Sequence, residues 1–372
     1  MEKLLSTGPA TIFQLNDARS WRGGEQQVLY LHEGLLELDR DSRVICQRDS
    51  ALHQVLAERK LPHYALRMMG GHDPGAALKM ARLMANENTL LHAHTSHAHD
   101  LGLWAKRLGA RSRLVISRRV AFAPSGGWLG RRKYLNRRVD LYLAISSAVQ
   151  QVLLESGVSP DRIRLVPSGV ELSRFADVQA DLHWRAGFSL APGELLFCNV
   201  AALTEEKCQS TLIAAFRLFL DSGGSGKLVI LGEGELRAQL QEQCTALALA
   251  DSVFLPGFSK DVLPGLRAAD VMVLSSRSEG LGTSILDAMA LGRPVIASRA
   301  GGIVDVVDDG ETGILVPPED PAALAQAMAD LQQSASSRQR MGLAGTRKVQ
   351  DFDVRKTVQL TLDAYDELYG GQ

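Results

Sequence analysis

The chain has few cysteines, no long apolar run and almost no net charge, and each shortage removes a class of protein. Four cysteines, Cys46, Cys198, Cys208 and Cys244, occur in 372 residues, with no C-x-x-C pair and no compact framework. A disulfide scaffold or zinc ribbon is therefore excluded, and buried free thiols are expected. No uncharged apolar stretch is long enough to span a bilayer. The opening MEKLLSTGPATIFQL carries one lysine before a short, interrupted apolar run, a poor signal peptide, so a cytoplasmic protein is expected. No G-x-G-x-x-G follows the first strand, which argues against a dinucleotide cofactor. The net charge of −1 hides an asymmetry: residues 1–175 hold 25 Lys and Arg against 16 Asp and Glu, and the rest hold 16 against 26. The first half is basic.

What is present is a regular alternation. Short apolar strands, ATIFQL (10–15), SRVICQR (42–48), LPHYALRM (61–68) and NTLLHAH (88–94), alternate with amphipathic helical stretches, and the pattern starts afresh at LLFCNVAAL (195–203). At 45% hydrophobic and 22% charged, the chain is long enough for two such domains. Two doubly wound parallel sheets are expected, with residues 1–178 as the first domain, a polar linker over 179–190, 191–350 as the second and 351–372 as a closing helix.

One stretch concentrates the chemistry: SSRSEGLGTSILDAMALGRPVIASRAGG, residues 275–302. It leaves an apolar strand, VMVLS, crosses a glycine loop and enters a helix. Backbone N–H groups at a helix start lack intrahelical partners and face the positive end of the dipole, so a phosphate fits there, and Gly280 and Gly282 allow close approach. Glu279 and Asp287 flank that loop, and carboxylates accept hydrogen bonds from vicinal hydroxyls. A phosphate between two polyols describes a nucleotide sugar. The run resembles the donor-site signature of the family 4 retaining glycosyltransferases, whose usual acidic pair is Glu, seven residues, Glu; here Asp287 takes the second place.

That resemblance extends over most of the chain and implies a GT-B fold, two Rossmann-like domains facing a central cleft with the last helix returning to the first domain. In the second domain it implies Glu279 on the sugar hydroxyls, Asp287 on the ribose, the backbone of Gly280, Leu281, Gly282, Thr283 and Ser284 near the diphosphate, and the backbone around Gly257 and Phe258 on the nucleobase. A V-G-R-L-x-x-x-K-G pattern places Lys207 on the diphosphate; Ala202 stands where the family has Arg, and Cys208 where it has Gly. Arg277 either substitutes for the missing Arg or forms a salt bridge at the rim. In the first domain, the turn at Gly23 and Gly24, with a helix starting near Glu25, would approach the phosphates and the acceptor. The H-A-H-T-S-H run at the end of the fourth strand supplies a sugar contact, His94 before His97.

The implied activity is transfer of a hexosyl-type sugar, with retention and without metal or cofactor, from a UDP- or GDP-sugar to a saccharide or lipid-linked acceptor, as in lipopolysaccharide or other cell-surface glycan assembly. A non-catalytic nucleotide-sugar-binding subunit and a GT-B epimerase are the alternatives. Residues 106–138 hold eleven Lys and Arg, no acids, and Phe122, Trp128 and Tyr134. This segment offers a surface for an anionic inner membrane leaflet or a phosphorylated acceptor. No nucleic-acid fold accompanies it, and no nucleic-acid partner is expected.

Overall fold

Parallel strands buried on both faces are mostly apolar, and the strands here are, with a few buried polar residues among them: TIFQLN, SRVICQ, TLLHA and LYLA in the first half, LLFCNV, VMVL and VIAS in the second. The computed structural model describes residues 8–122, 127–179 and 185–370; the side chains of 127–129 and 131 lie outside the description, as does part of the expected linker, 180–184. The chain divides into two compact units, Met1–Gly169 with Val354–Gln372, and Val170–Asp353. The sequence reading had put the divisions at 178 and 350.

The first unit is a seven-stranded parallel sheet of β1 (Thr11–Asn16), β2 (Ser42–Gln47), β3 (His63–Leu66), β4 (Thr89–Ala93), β5 (Arg113–Arg118), β6 (Leu141–Ala144) and β7 (Ile163–Leu165). Their order in space is β3-β2-β1-β4-β5-β6-β7. Between them run α1 (Gly23–Glu37), α2 (Ala51–Glu58), α3 (Pro74–Leu83), α4 (Ser96–Arg107), α5 (Gly127–Tyr134) and α6 (Ser147–Glu155). Ser50, Asp73, Thr95 and Ser146 cap the starts of α2, α3, α4 and α6 by accepting a backbone N–H, each worth about 1 kcal/mol.

The second unit repeats the plan with β8 (Leu195–Val200), β9 (Gly226–Leu231), β10 (Val253–Gly257), β11 (Val271–Leu274), β12 (Val295–Ser298) and β13 (Gly313–Val316), ordered β10-β9-β8-β11-β12-β13. Its helices are α7 (Gln209–Asp221), α8 (Arg237–Ala246), α9 (Leu263–Ala268), α10 (Thr283–Ala290), α11 (Ile303–Val306), α12 (Pro321–Gln333) and α13 (Ala335–Lys348). Phe197, Phe216 and Phe219 meet edge-on in its core, fully buried. The last helix, α14 (Val354–Gly370), belongs to the first unit, where Val358, Leu362 and Tyr365 form one apolar stripe against Leu31 and Leu35 of α1. Gly34 makes that crossing close, since a Cβ there would stand 2.6 Å from Val358.

In each sheet the chain order reverses beside the first strand, between β1 and β4 and between β8 and β11. Ligands of open parallel sheets bind beyond the strand ends at such points. Two details depart from the sequence reading. Gly23 and Gly24 open α1 rather than forming a turn before it, and β4 ends at Ala93, so His94 lies just past the strand that was expected to contain it, while His92 lies within it.

Candidate functional site

In the second unit, the loops after β8 and β11 carry Lys207 and Glu279, 72 residues apart, to one place. Lys207 Nζ donates to Glu279 Oε2 at 2.5 Å, Ser276 Oγ donates to the same oxygen at 3.2 Å, and Ser275 Oγ ties the loops by donating to the Lys207 carbonyl at 2.9 Å. Both charged side chains are mostly buried. Glu279 Oε1 has no hydrogen bond among those described, so it remains open to a ligand.

The glycines of this stretch have separate tasks. Gly282 caps α10 with φ +88°, a conformation that side chains resist. Gly301, at φ +53°, would put a Cβ 2.0 Å from the Glu279 carbonyl, and Gly302 N–H donates to that carbonyl at 2.9 Å. The closing A-G-G thus clamps the loop that carries Glu279. The N–H groups of Thr283 and Ser284, in the first turn of α10, precede the first intrahelical bond, Ile285 N–H to Gly282 O at 2.9 Å.

Asp287 lies within α10, and its carboxyl has no hydrogen-bond partner among the described residues. Burial pushes its pKa up to about 6, against a weaker opposing effect of Arg174. A partly buried acceptor without a protein partner among the described residues suits a hydroxyl-bearing ligand. Arg277 is placed differently: its guanidinium lies 3.4 Å from Glu205 and 3.9 Å from Glu319 and is 41% exposed, the rim pairing foreseen as its second use. Cys208, after Lys207, holds φ +50° as the cap residue of α7. Gly257 ends β10 at φ +99°, with the Glu233 carboxylate where a Cβ would be, and Phe258 beside it is 64% exposed.

In the first unit, the β1–β4 register pairs Gln14 with His92 and Leu15 with Ala93. Carried onward, it sets Asn16 beside His94 and Asp17 beside Thr95. Asn16 Nδ2 donates to Glu25 Oε1 at 3.0 Å, and Glu25 Oε2 accepts the Arg22 N–H at 2.9 Å, fixing the start of α1. His94 is buried, with Nε2 2.7 Å from Gln14 Oε1 and Nδ1 3.4 Å from an Arg119 nitrogen. Arg119 only donates, so Nδ1 accepts and Nε2 carries the hydrogen. Tyr365 Oη lies 2.6 Å from His92 Nδ1 and accepts from Gln14 Nε2 at 3.5 Å, tying α14 to the same network. Burial holds both His92 and His94 well below the ordinary histidine pKa, and it lowers that of Arg119 to about 10. His97 is instead 67% exposed, with Nδ1 3.2 Å from Asp17 Oδ2; Thr95 Oγ1 donates to Asp17 Oδ1.

The structure thus assembles Lys207, Glu279 and the α10 start in one unit, and Gly23, Gly24, His94 and His97 around one strand junction in the other. Gln14, Asp17 and Arg119 were missed. Asp17 follows the first strand directly, and that position was the available signal. Much of the basic segment faces inward. Lys106 donates to the Ser112 carbonyl, Lys133 Nζ donates to Ser96 and to Asp100 at 2.8 Å, Arg113 pairs with Asp140, and Arg118 stacks on Tyr134 and donates to the Phe122 carbonyl. Arg107, Arg111, Arg137 and Arg138 point to solvent or rim partners. No helix among the described residues is long and apolar enough to cross a membrane. No group of three metal-ligating side chains occurs among them.

Two family models match in succession: Glycosyltransferase Family 4 over residues 21–174 and Glycosyl transferases group 1 over residues 183–348. A D-inositol 3-phosphate glycosyltransferase of Streptomyces scabiei is 26% identical over 352 residues, 85% of this chain and 75% of that one. The amylovoran biosynthesis glycosyltransferase AmsK of Erwinia amylovora is 30% identical over 220 residues, 57% of this chain and 52% of that one, so the match spans about half of AmsK. The crystal structure of Anabaena Alr3699/HepE in complex with UDP has the same fold, with a TM-score of 0.83 over 96% of this chain and 100% of that one at 22% identity.

Proposed function

Because the chain belongs to the family 4, group 1 glycosyltransferases and has their GT-B fold, we propose that it transfers a hexosyl-type sugar, with retention, from a UDP- or GDP-sugar to a saccharide or lipid-linked acceptor. The relative named for amylovoran biosynthesis favours cell-surface glycan assembly, lipopolysaccharide included. The observation that carries the reading is the Lys207–Glu279 pair beside the free N–H groups of α10, with an unpartnered Asp287 one turn further on.

As the sugar–phosphate bond breaks, negative charge collects on the leaving diphosphate. Donors fixed in advance toward that charge lower the barrier most. Lys207 and the Thr283 and Ser284 N–H groups are such donors, and they fill the role a divalent cation would otherwise have. Glu279 holds the ammonium in place and keeps Oε1 for the sugar hydroxyls; Asp287 accepts from the ribose. For retention, the acceptor oxygen attacks from the face the phosphate leaves. The new C–O bond forms as the old one breaks, and the departing phosphate oxygen takes the acceptor proton.

Purified protein incubated with a panel of UDP- and GDP-sugars tests this. Donor-specific nucleotide release, lost in Glu279→Ala and Lys207→Ala, is the expected result. Tight binding without turnover, even with lipid extract added, would make the protein a binding subunit. Appearance of an isomerised donor would make it an epimerase.

A further inference from the structure

His97 and Asp17 form a pair that the donor chemistry above does not use. They come together because the parallel register of β1 and β4 aligns the residues that follow each strand. Asp17 is 11% exposed and has no Lys or Arg within ion-pair distance among the described residues. One of its oxygens accepts the Thr95 hydroxyl, which itself caps α4 by accepting the Ala98 N–H at 3.0 Å. The other oxygen faces His97 Nδ1 at 3.2 Å. The ammonium of Lys133, which feels the Asp17 charge, is occupied by the Ser96 carbonyl, the Ser96 hydroxyl and Asp100.

A carboxylate only accepts, so His97 Nδ1 carries the hydrogen, and in the neutral ring Nε2 presents its lone pair. His97 is 67% exposed, and that lone pair faces no described group. His94, by contrast, has both ring nitrogens engaged within the unit. A fixed, outward acceptor at the switch point of a parallel sheet is placed to receive a ligand hydroxyl.

We propose that His97 accepts a hydrogen bond from the hydroxyl of the incoming acceptor and that Asp17 is the positioning residue that sets its tautomer. His97 thereby orients the attacking oxygen and keeps no proton, which leaves with the departing phosphate. The inference rests on the transferase reading and adds the acceptor-side contact to it.

Hydrolysis of the donor, in which water takes the acceptor's place, tests the pair without knowledge of the natural acceptor. Asp17→Asn keeps the shape but, with its oxygen on Thr95, turns an NH₂ toward His97. Nδ1 then becomes the acceptor and Nε2 the donor. Nucleotide release from UDP-glucose, or from whichever sugar nucleotide the wild type binds, is expected to fall about 10- to 100-fold in Asp17→Asn and in His97→Ala, the size of one hydrogen bond to an oriented polar group. Donor affinity by calorimetry should stay within twofold. The double variant should be no slower than His97→Ala alone, because Asp17 acts through His97. In ¹⁵N-histidine spectra of the free protein, the His97 signals should exchange tautomer in Asp17→Asn. His97 is exposed, so His97→Ala does not threaten the fold. Intact donor binding with Asp17→Asn as fast as wild type, or losses that multiply in the double variant, would overturn the inference alone. Failure of the wild type to bind any sugar nucleotide would overturn the transferase reading, and this inference with it.

Discussion

With Asp287 in the proposed donor-binding role, donor binding is coupled to stability, and the coupling has a definite sign. Burial raises its pKa from the ordinary 3.8 to about 6, so the folded chain holds that proton more tightly than the unfolded chain does. The stabilising contribution is complete below about pH 4 and is lost as the pH rises through 6. At 1.36 kcal/mol per pKa unit, the whole window is worth roughly 3 kcal/mol, an upper limit because the carboxyl is partly solvated. Asp287→Asn has nothing to titrate. Its stability relative to wild type should therefore grow between pH 4.5 and pH 8, by up to ~2 kcal/mol, the part of the window above pH 4.5, or roughly 4 to 8 °C in the melting temperature of a unit this size. The same substitution should weaken binding of the donor about 10- to 100-fold at pH 8, since a carboxylate acceptor is lost from the ribose. Wild-type donor affinity should itself decline as the pH falls through 6 and Asp287 protonates. Thermal melts of both proteins at pH 4.5, 6 and 8, with calorimetric titration of the nucleotide, measure all three effects. A melting difference that stays flat with pH, or that favours wild type increasingly at pH 8, would refute the account of a partnerless carboxylate awaiting a ligand.

Other substitutions probe the same unit. Lys207→Ala and Glu279→Ala each strand a mostly buried charge, so each should cost about 1 to 3 kcal/mol, while the double variant recovers part of the loss; a denaturation double-mutant cycle reads the coupling. Gly301→Ala places a methyl group against the Glu279 carbonyl at a backbone angle that resists side chains, and should lower stability by at least ~1 kcal/mol and displace Glu279. Nucleotide release and urea denaturation check both effects. At Cys208 the usual order of residues should invert: Cys208→Gly should be more stable than Cys208→Ala by about 1 kcal/mol, because φ +50° strains any side chain. The paired urea midpoints decide it.

What could be read from the sequence was what lies close together along it. The 275–302 run announces its strand, its glycine loop and its two acids within one supersecondary unit, and the alternation of strands and helices points to the doubly wound plan. What could not be read depends on register and facing. Asp17 and His97 are 80 residues apart, and Tyr365 and His92 are 273 apart. Only the parallel pairing of β1 with β4, and the return of α14 to the first unit, bring them into contact. The basic segment shows the complementary failure. Counting charges finds eleven cations between 106 and 138, but not that Arg118 ends a buried strand or that Lys133 turns inward to anchor α5 on the start of α4. Charge density along a chain becomes a surface field only where the fold leaves the charges outside. Among the described side chains of the segment, five arginines, 107, 111, 132, 137 and 138, are exposed, so electrostatic attraction to an anionic leaflet is weaker than eleven charges imply, at roughly 1 kcal/mol for each cation near the membrane. Any liposome binding by this protein should therefore depend on those exposed arginines and be insensitive to neutralising Lys106 or Lys133, a distinction that vesicle sedimentation at graded anionic lipid content would reveal.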